Sequence, residues 1–142
     1  AIGEDSYWLG CIAPFLPFVG YADGMRIGGD VGSSWDGEFG PQNMMRCLTG
    51  NNYTNHRYYQ TDPDAVMLRD FQIRLTERET ESLALLAAVS GSCIYTSDPL
   101  HKIAPARQKL FDFIRPDKRR KHSLPFLSEE RPEIVMVHKE NN

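Results

Sequence analysis

No apolar run in this 142-residue chain approaches the ~20 residues that a membrane-spanning helix needs. The first residues, AIGEDSYW, lack the basic start and apolar middle of a secretory leader, which favours a soluble cytoplasmic protein over a secreted one. They also lack an initiator methionine and read as the interior of a longer sequence. Cysteine is scarce. Cys11, Cys47 and Cys93 are odd in number and far apart, which fits neither zinc spacing nor a disulfide framework. Cys11 and Cys93 fall in apolar strand-like runs, where buried small hydrophobes are expected. His56, His101, His122 and His138 are scattered, with no pair at helical ligand spacing, so neither a metal site nor a cofactor is expected. An excess of positive charge is missing too. The net charge of −3 argues against a nucleic acid as the main partner. What is present is an average globular composition, 41% hydrophobic and 25% charged, in a length that suits one domain.

The most informative stretch is MRIGGDVGSSW, residues 25–35. It reads as a short buried strand running into glycines and presenting Arg26 and Asp30. Two glycines before the acid and one after it remove Cβ bulk, so another molecule could approach the backbone closely. Trp35 follows as a flat apolar wall. An acid at a strand end, beside an arginine and an aromatic, is the layout of a polar-ligand site on a barrel or open sheet. A structural ion pair between Arg26 and Asp30 accounts for the same residues.

Around this stretch, strands alternate with helices. Residues 7–10 form a first strand ending at Cys11, and residues 25–29 a second. The connection between them, residues 12–24, holds Pro14, Pro17, Gly20 and Gly24, which speaks against a long helix. Residues 38–57 suggest one or two short helices broken at 49–52. Residues 58–69 are strand-like on both sides of a bend at Pro63. There an Asx-type backbone bond suits Asp62 and Asp64 better than catalysis does. Thr76 and Glu79 make a T-x-x-E capping box for a helix that Gly91 ends. Residues 92–97 read as a third strong strand. Pro105 opens a helix over 106–115, and Pro116 stops it. The basic run 118–122 reads as a solvated linker, and residues 133–137 as a strand opening another sheet. Such alternation implies parallel pairing, with Cys11, Asp30 and Asp98 at the C-terminal strand ends where barrel and open-sheet enzymes place their chemistry.

Taken together, LGCIAPFLPFVGYADGMRIGGDVGSSW, TDPDAVMLRD, LTERETESLALLAAVSGSCIYTSD and ARQKLFDFIRP resemble bacterial α-galactosidases of glycoside hydrolase family 36, and more distantly family 27 of the same clan. The resemblance covers residues 7 to about 116. It implies an α/β fold that is part of a (β/α)8 barrel, about strands five to eight in residues 1–116. Residues 117–142 would then be a linker and the first strand of a C-terminal β-sandwich domain. It further implies a retaining hydrolase of terminal α-galactosides of the melibiose or raffinose type. Arg26 and Asp30 match the family's Arg-x-x-x-Asp segment, with Asp30 as general acid/base and Arg26 on sugar hydroxyls. Cys11 matches a position lining the galactose pocket, and Trp35 would add a sugar-facing wall. The family's nucleophilic aspartate, in a Lys-x-Asp motif, has no counterpart in these residues. Where the family has Asn-Asp-Pro-Asp, this chain has Thr61-Asp62-Pro63-Asp64, which leaves those acids as scaffold.

The implied partner is an α-galactoside oligosaccharide, with no nucleic acid and no membrane. The remaining half of the barrel is required, and a homo-oligomer of the full-length parent is compatible with the sequence. Half a barrel exposes its edge strands, so the 142 residues alone are expected to be inactive. Other readings stay open at this point. They are a non-catalytic carbohydrate-binding remnant, a transgalactosylase or an α-N-acetylgalactosaminidase. A nucleotide-binding domain is disfavoured because GGDVG has neither GxGxxG nor P-loop spacing.

Overall fold

The computed structural model describes residues 3–115, 120–123 and 136–139. Strands β1 (Leu9–Gly10), β2 (Gly24–Arg26) and β3 (Gln60–Asp62) form one sheet in the order β1-β2-β3, and both pairings are parallel. The register sets Arg26 directly beside Asp62. The α/β alternation expected from the sequence is therefore met, with helices α1 (Pro41–Asn51), α2 (Glu77–Ser90) and α3 (Pro105–Ile114) following β2, β3 and residues 92–97. No helix among the described residues is long and apolar enough to cross a membrane.

The connection from β1 to β2 carries only a 3-10 turn at Leu16–Phe18, as its prolines and glycines predict. Phe15, Phe18 and Val19 pack against Ala22, Met25 and Tyr59, so this segment builds a small core of its own. The larger core lies among the three helices and the sheet, with Ile27, Leu48, Val66, Leu68 and Leu83 buried in it.

Helix α1 ends at Asn51, inside the break expected at 49–52, and a 3-10 turn, Asn52–Thr54, follows it. The side chains that suggested a stop bond back onto the last turns of the helix. The Thr49 hydroxyl donates to the Arg46 carbonyl (3.0 Å), and the Asn51 amide to the Cys47 carbonyl (3.0 Å). Helix α2 begins as its sequence predicts. Thr76 Oγ1 accepts from the Glu79 amide (3.3 Å), and Glu79 Oε2 accepts from the Thr76 amide (2.7 Å). Gly91 caps its end at φ +65°, a conformation cheap only without a Cβ. The apolar circumference of α2 is used on two sides, against α1 and against α3.

Residues 92–97 form no regular strand, contrary to the sequence reading. Two bonds hold them beside β3, from the Cys93 amide to the Thr61 carbonyl (2.8 Å) and from the Val66 amide to the Tyr95 carbonyl (2.8 Å). A parallel ladder would next require the amide of residue 63 to donate to Cys93. That residue is Pro63, which has no N–H.

Beyond the sheet, β4 (Arg120–Ser123) and β5 (Met136–Lys139) pair antiparallel, with Arg120 opposite Lys139. Residues 120–122 of the basic run expected to be linker thus belong to a strand, and residues 118 and 119 lie outside the described residues. Of the strand expected over 133–137, residues 133–135 lie outside the described residues, as does Pro116.

Two leucines of α2 separate burial from mere apolarity. Leu83 is 1% exposed and Leu85 is 53% exposed. Leu83→Ala is expected to cost about 2–5 kcal/mol and Leu85→Ala no more than about 0.5 kcal/mol, as read from chemical-denaturation midpoints.

Candidate active site at the C-terminal edge of the sheet

Three acids at or just past the C-terminal ends of β2 and β3 converge on one arginine. Arg26 leaves β2 with its side chain 12% exposed and meets three carboxylates. Its Nε donates to Asp62 Oδ2 (2.7 Å), Nη2 lies 3.0 Å from Asp64 Oδ1, and Nη1 donates to Asp30 Oδ1 (3.3 Å). Tyr95 closes the network. Its hydroxyl donates a short bond to Asp62 Oδ1 and accepts from Arg26 Nη2 (3.0 Å). Asp62 Oδ1 also takes the Asp64 amide (2.8 Å), which is the Asx-type bond that the Asp-Pro-Asp bend suggested. Every oxygen of the fully buried Asp62 carboxylate therefore has a donor, as a buried charge requires.

The three acids are not equivalent. Asp62 is sealed at 0% exposure and Asp64 is at 14%, while Asp30 is 82% exposed. Asp62 and Asp64 hold and orient the guanidinium. Asp30, held by a longer bond, faces outward and is free to meet another molecule. Burial works against the charge of Arg26, but the bonds with Asp62 and Tyr95 outweigh it and keep the guanidinium firmly protonated. Burial, and after it the bond donated to Asp62, push the Tyr95 phenol up against the opposite pull of Arg26. What results is a carboxyl group presented to solvent beside a guanidinium that two further carboxylates hold in place. Such a group can accept or deliver a proton, and it can bind hydroxyl groups.

The glycines around Asp30 serve packing more than access. A Cβ on Gly28 would lie 2.9 Å from Cys47 Sγ, so its absence lets α1 sit close to the sheet. At Gly29 a Cβ would make only ordinary contacts, the nearest atom being 3.9 Å away. Trp35 packs on the larger core, half-buried, rather than standing as a free wall. Cys11 is exposed just past β1, which corrects the expectation of a buried small hydrophobe. Cys93 is half-buried, and its thiol lies 3.3 Å from the Tyr7 hydroxyl. Burial pushes the Cys47 and Cys93 thiols up, which makes both poor nucleophiles.

Asp98 belongs to a separate scaffold. Fully buried, it pairs with Arg69 Nη1 (2.7 Å) and accepts the amides of Leu68 (2.6 Å) and Arg69 (3.0 Å). Among the described residues no group of three or more His, Cys, Asp or Glu could hold a metal ion. The structure thus joins Arg26 and Asp30 and adds Asp62, Asp64 and Tyr95 to them. Tyr95 gave no signal in the sequence beyond its place in an apolar run.

The Tyr95 phenol has a pH consequence. Its folded-state value lies above the ordinary value of about 10, so its contribution to stability is complete below that pH. Above it the contribution is lost, as the unfolded phenol ionises and the folded one does not. Stability should hold to about pH 10 and then fall, and the fall should be smaller in Tyr95→Phe. Denaturation midpoints across the alkaline range check this.

No protein-family model matches the chain. Among solved structures it is similar to TtGalA, an α-galactosidase from Thermus thermophilus. Against the complex of that enzyme with p-nitrophenyl α-D-galactopyranoside, identity is 30% and the TM-score 0.68, covering 80% of this chain and 26% of the other. Against the stachyose complex, identity is 29% and the TM-score 0.63, covering 80% and 27%. The chain therefore spans about a quarter of the length of that enzyme. In sequence and fold the chain is thus similar to part of an α-galactosidase, in agreement with the resemblance to glycoside hydrolase family 36 that its motifs carry.

Proposed function

We propose that the chain is part of the catalytic (β/α)8 barrel of a retaining glycoside hydrolase that removes terminal α-galactosyl residues from oligosaccharides. In this reading residues 1–116 supply about strands five to eight, and residues 117–142 lead into a C-terminal β-domain. The observation that carries it is Asp30, an exposed carboxyl group held 3.3 Å from an arginine that is itself fixed by buried acids.

A retaining hydrolase needs two carboxyl groups ~5–5.5 Å apart. One gives a proton to the departing glycosidic oxygen while the other attacks the anomeric carbon. In the second step the first group takes a proton from water as that water releases the sugar. Asp30 fills the proton-transfer role, acid first and base second. The nucleophile comes from a segment outside the 142 residues, so the remaining barrel is required for turnover. Arg26 holds Asp30 through Nη1 and binds sugar hydroxyls on that side. Cys11, exposed on the same sheet edge, lines the sugar pocket, and Trp35 supports the loop that carries Asp30.

In the complete enzyme, Asp30→Ala is expected to lower turnover of galactosides with poor leaving groups by about 10²–10⁴-fold, the usual worth of a positioned acid. Added azide should restore part of the activity on activated aryl α-galactosides, because it needs no base to attack the glycosyl-enzyme. A variant with undiminished turnover would remove Asp30 from the mechanism.

A further inference from the structure

Asp64 makes contacts that a passive bend does not require. Its carboxylate accepts the Val31 amide on Oδ2 (2.6 Å) and the Ala65 amide on Oδ1 (2.6 Å), while Oδ1 also lies 3.0 Å from Arg26 Nη2. Val31 is the residue directly after Asp30. One carboxylate thus grips the peptide that carries Asp30 and the guanidinium that holds its side chain. Asp64 itself stands at φ +88°, where a residue with a Cβ is costly and glycine is not. Glycine would relieve the bend but lose the carboxylate, so the strained acid is tied to the groups that its carboxylate holds.

We propose that Asp64 is a positioning residue for proton transfer, fixing Asp30 through the Val31 amide and Arg26. This rests on the functional reading above, in which Asp30 is the acid/base. Asp62 and Tyr95, on the far side of Arg26, complete the clamp but touch neither Asp30 nor the Val31 peptide in the bonds they make. Asp64 is therefore the group whose loss lets both the backbone and the side chain of Asp30 drift. A displacement of about 1 Å at a reacting group lowers rates by up to about 10²-fold.

The test compares two substrates in the complete enzyme. One has a poor leaving group that needs the proton, such as an alkyl α-galactoside, and the other is an activated nitrophenyl α-galactoside that does not. Asp64→Asn and Asp64→Gly both suit a positive φ, and Asp64→Gly also relieves the strain. Both are expected to lower kcat/KM about 10–100-fold on the poor leaving group and less than about 3-fold on the activated one. The ratio of the two is independent of how much enzyme folds. Equal loss on both substrates, or no loss in either variant, would overturn the proposal. Asp30→Ala in the same assay separates the two claims. If that variant shows the selective loss and the Asp64 variants do not, the positioning role fails alone. If Asp30→Ala shows none, the assignment of Asp30 fails.

Discussion

The local structure of the candidate site depends on how one buried guanidinium is held. Arg26 is placed by the parallel register of β2 against β3, which brings it beside Asp62 before any side chain has to reach. A guanidinium removed from water would be costly alone, and breaking one partner from a buried ion pair typically costs about 3–5 kcal/mol. Here two near-buried carboxylates and a tyrosine hydroxyl share the load. Planar forked geometry suits arginine to this task in a way lysine could not match. The consequence is that Asp30 need not stabilise the fold and can face outward.

The bend at Asp62-Pro63-Asp64 does three physical jobs at once. Pro63 removes the amide that would extend pairing to residues 92–97, so that segment is held by isolated bonds rather than by a ladder. The interruption leaves Tyr95 in position to bridge Asp62 and Arg26. It also turns Asp64 through a positive φ towards the peptide after Asp30. Several carboxylates and one strained residue, Asp64, meet Arg26 at this sheet edge, and the larger hydrophobic core packs among α1, α2 and α3.

Much of this was legible in the sequence, and what was not has identifiable causes. The capping box of α2, its glycine stop, the proline-opened α3 and the parallel order of the strands follow from local signals of side-chain spacing and backbone preference. Helix α1 ends within the expected break, yet it carries on as far as Asn51 because Thr49 and Asn51 found acceptors on the helix itself. Whether such side chains leave or rejoin the backbone depends on burial that no short window reports. Cys11 looked buried because its neighbours are apolar, yet it lies beyond the end of a two-residue strand. The Arg26–Asp30 pair was visible at i, i+4 spacing. The links to Asp62, Asp64 and Tyr95 span 36 to 69 residues of chain and exist only once the sheet has formed.

The measurement that bears most directly on the central claim is a crystal structure of the complete enzyme with an unhydrolysed α-galactoside bound. The account predicts the glycosidic oxygen within about 2.6–3.2 Å of the Asp30 carboxyl group. It also predicts a second carboxyl group, from outside these 142 residues, ~5–5.5 Å from the first. A sugar bound with Asp30 facing away from the glycosidic bond would contradict it.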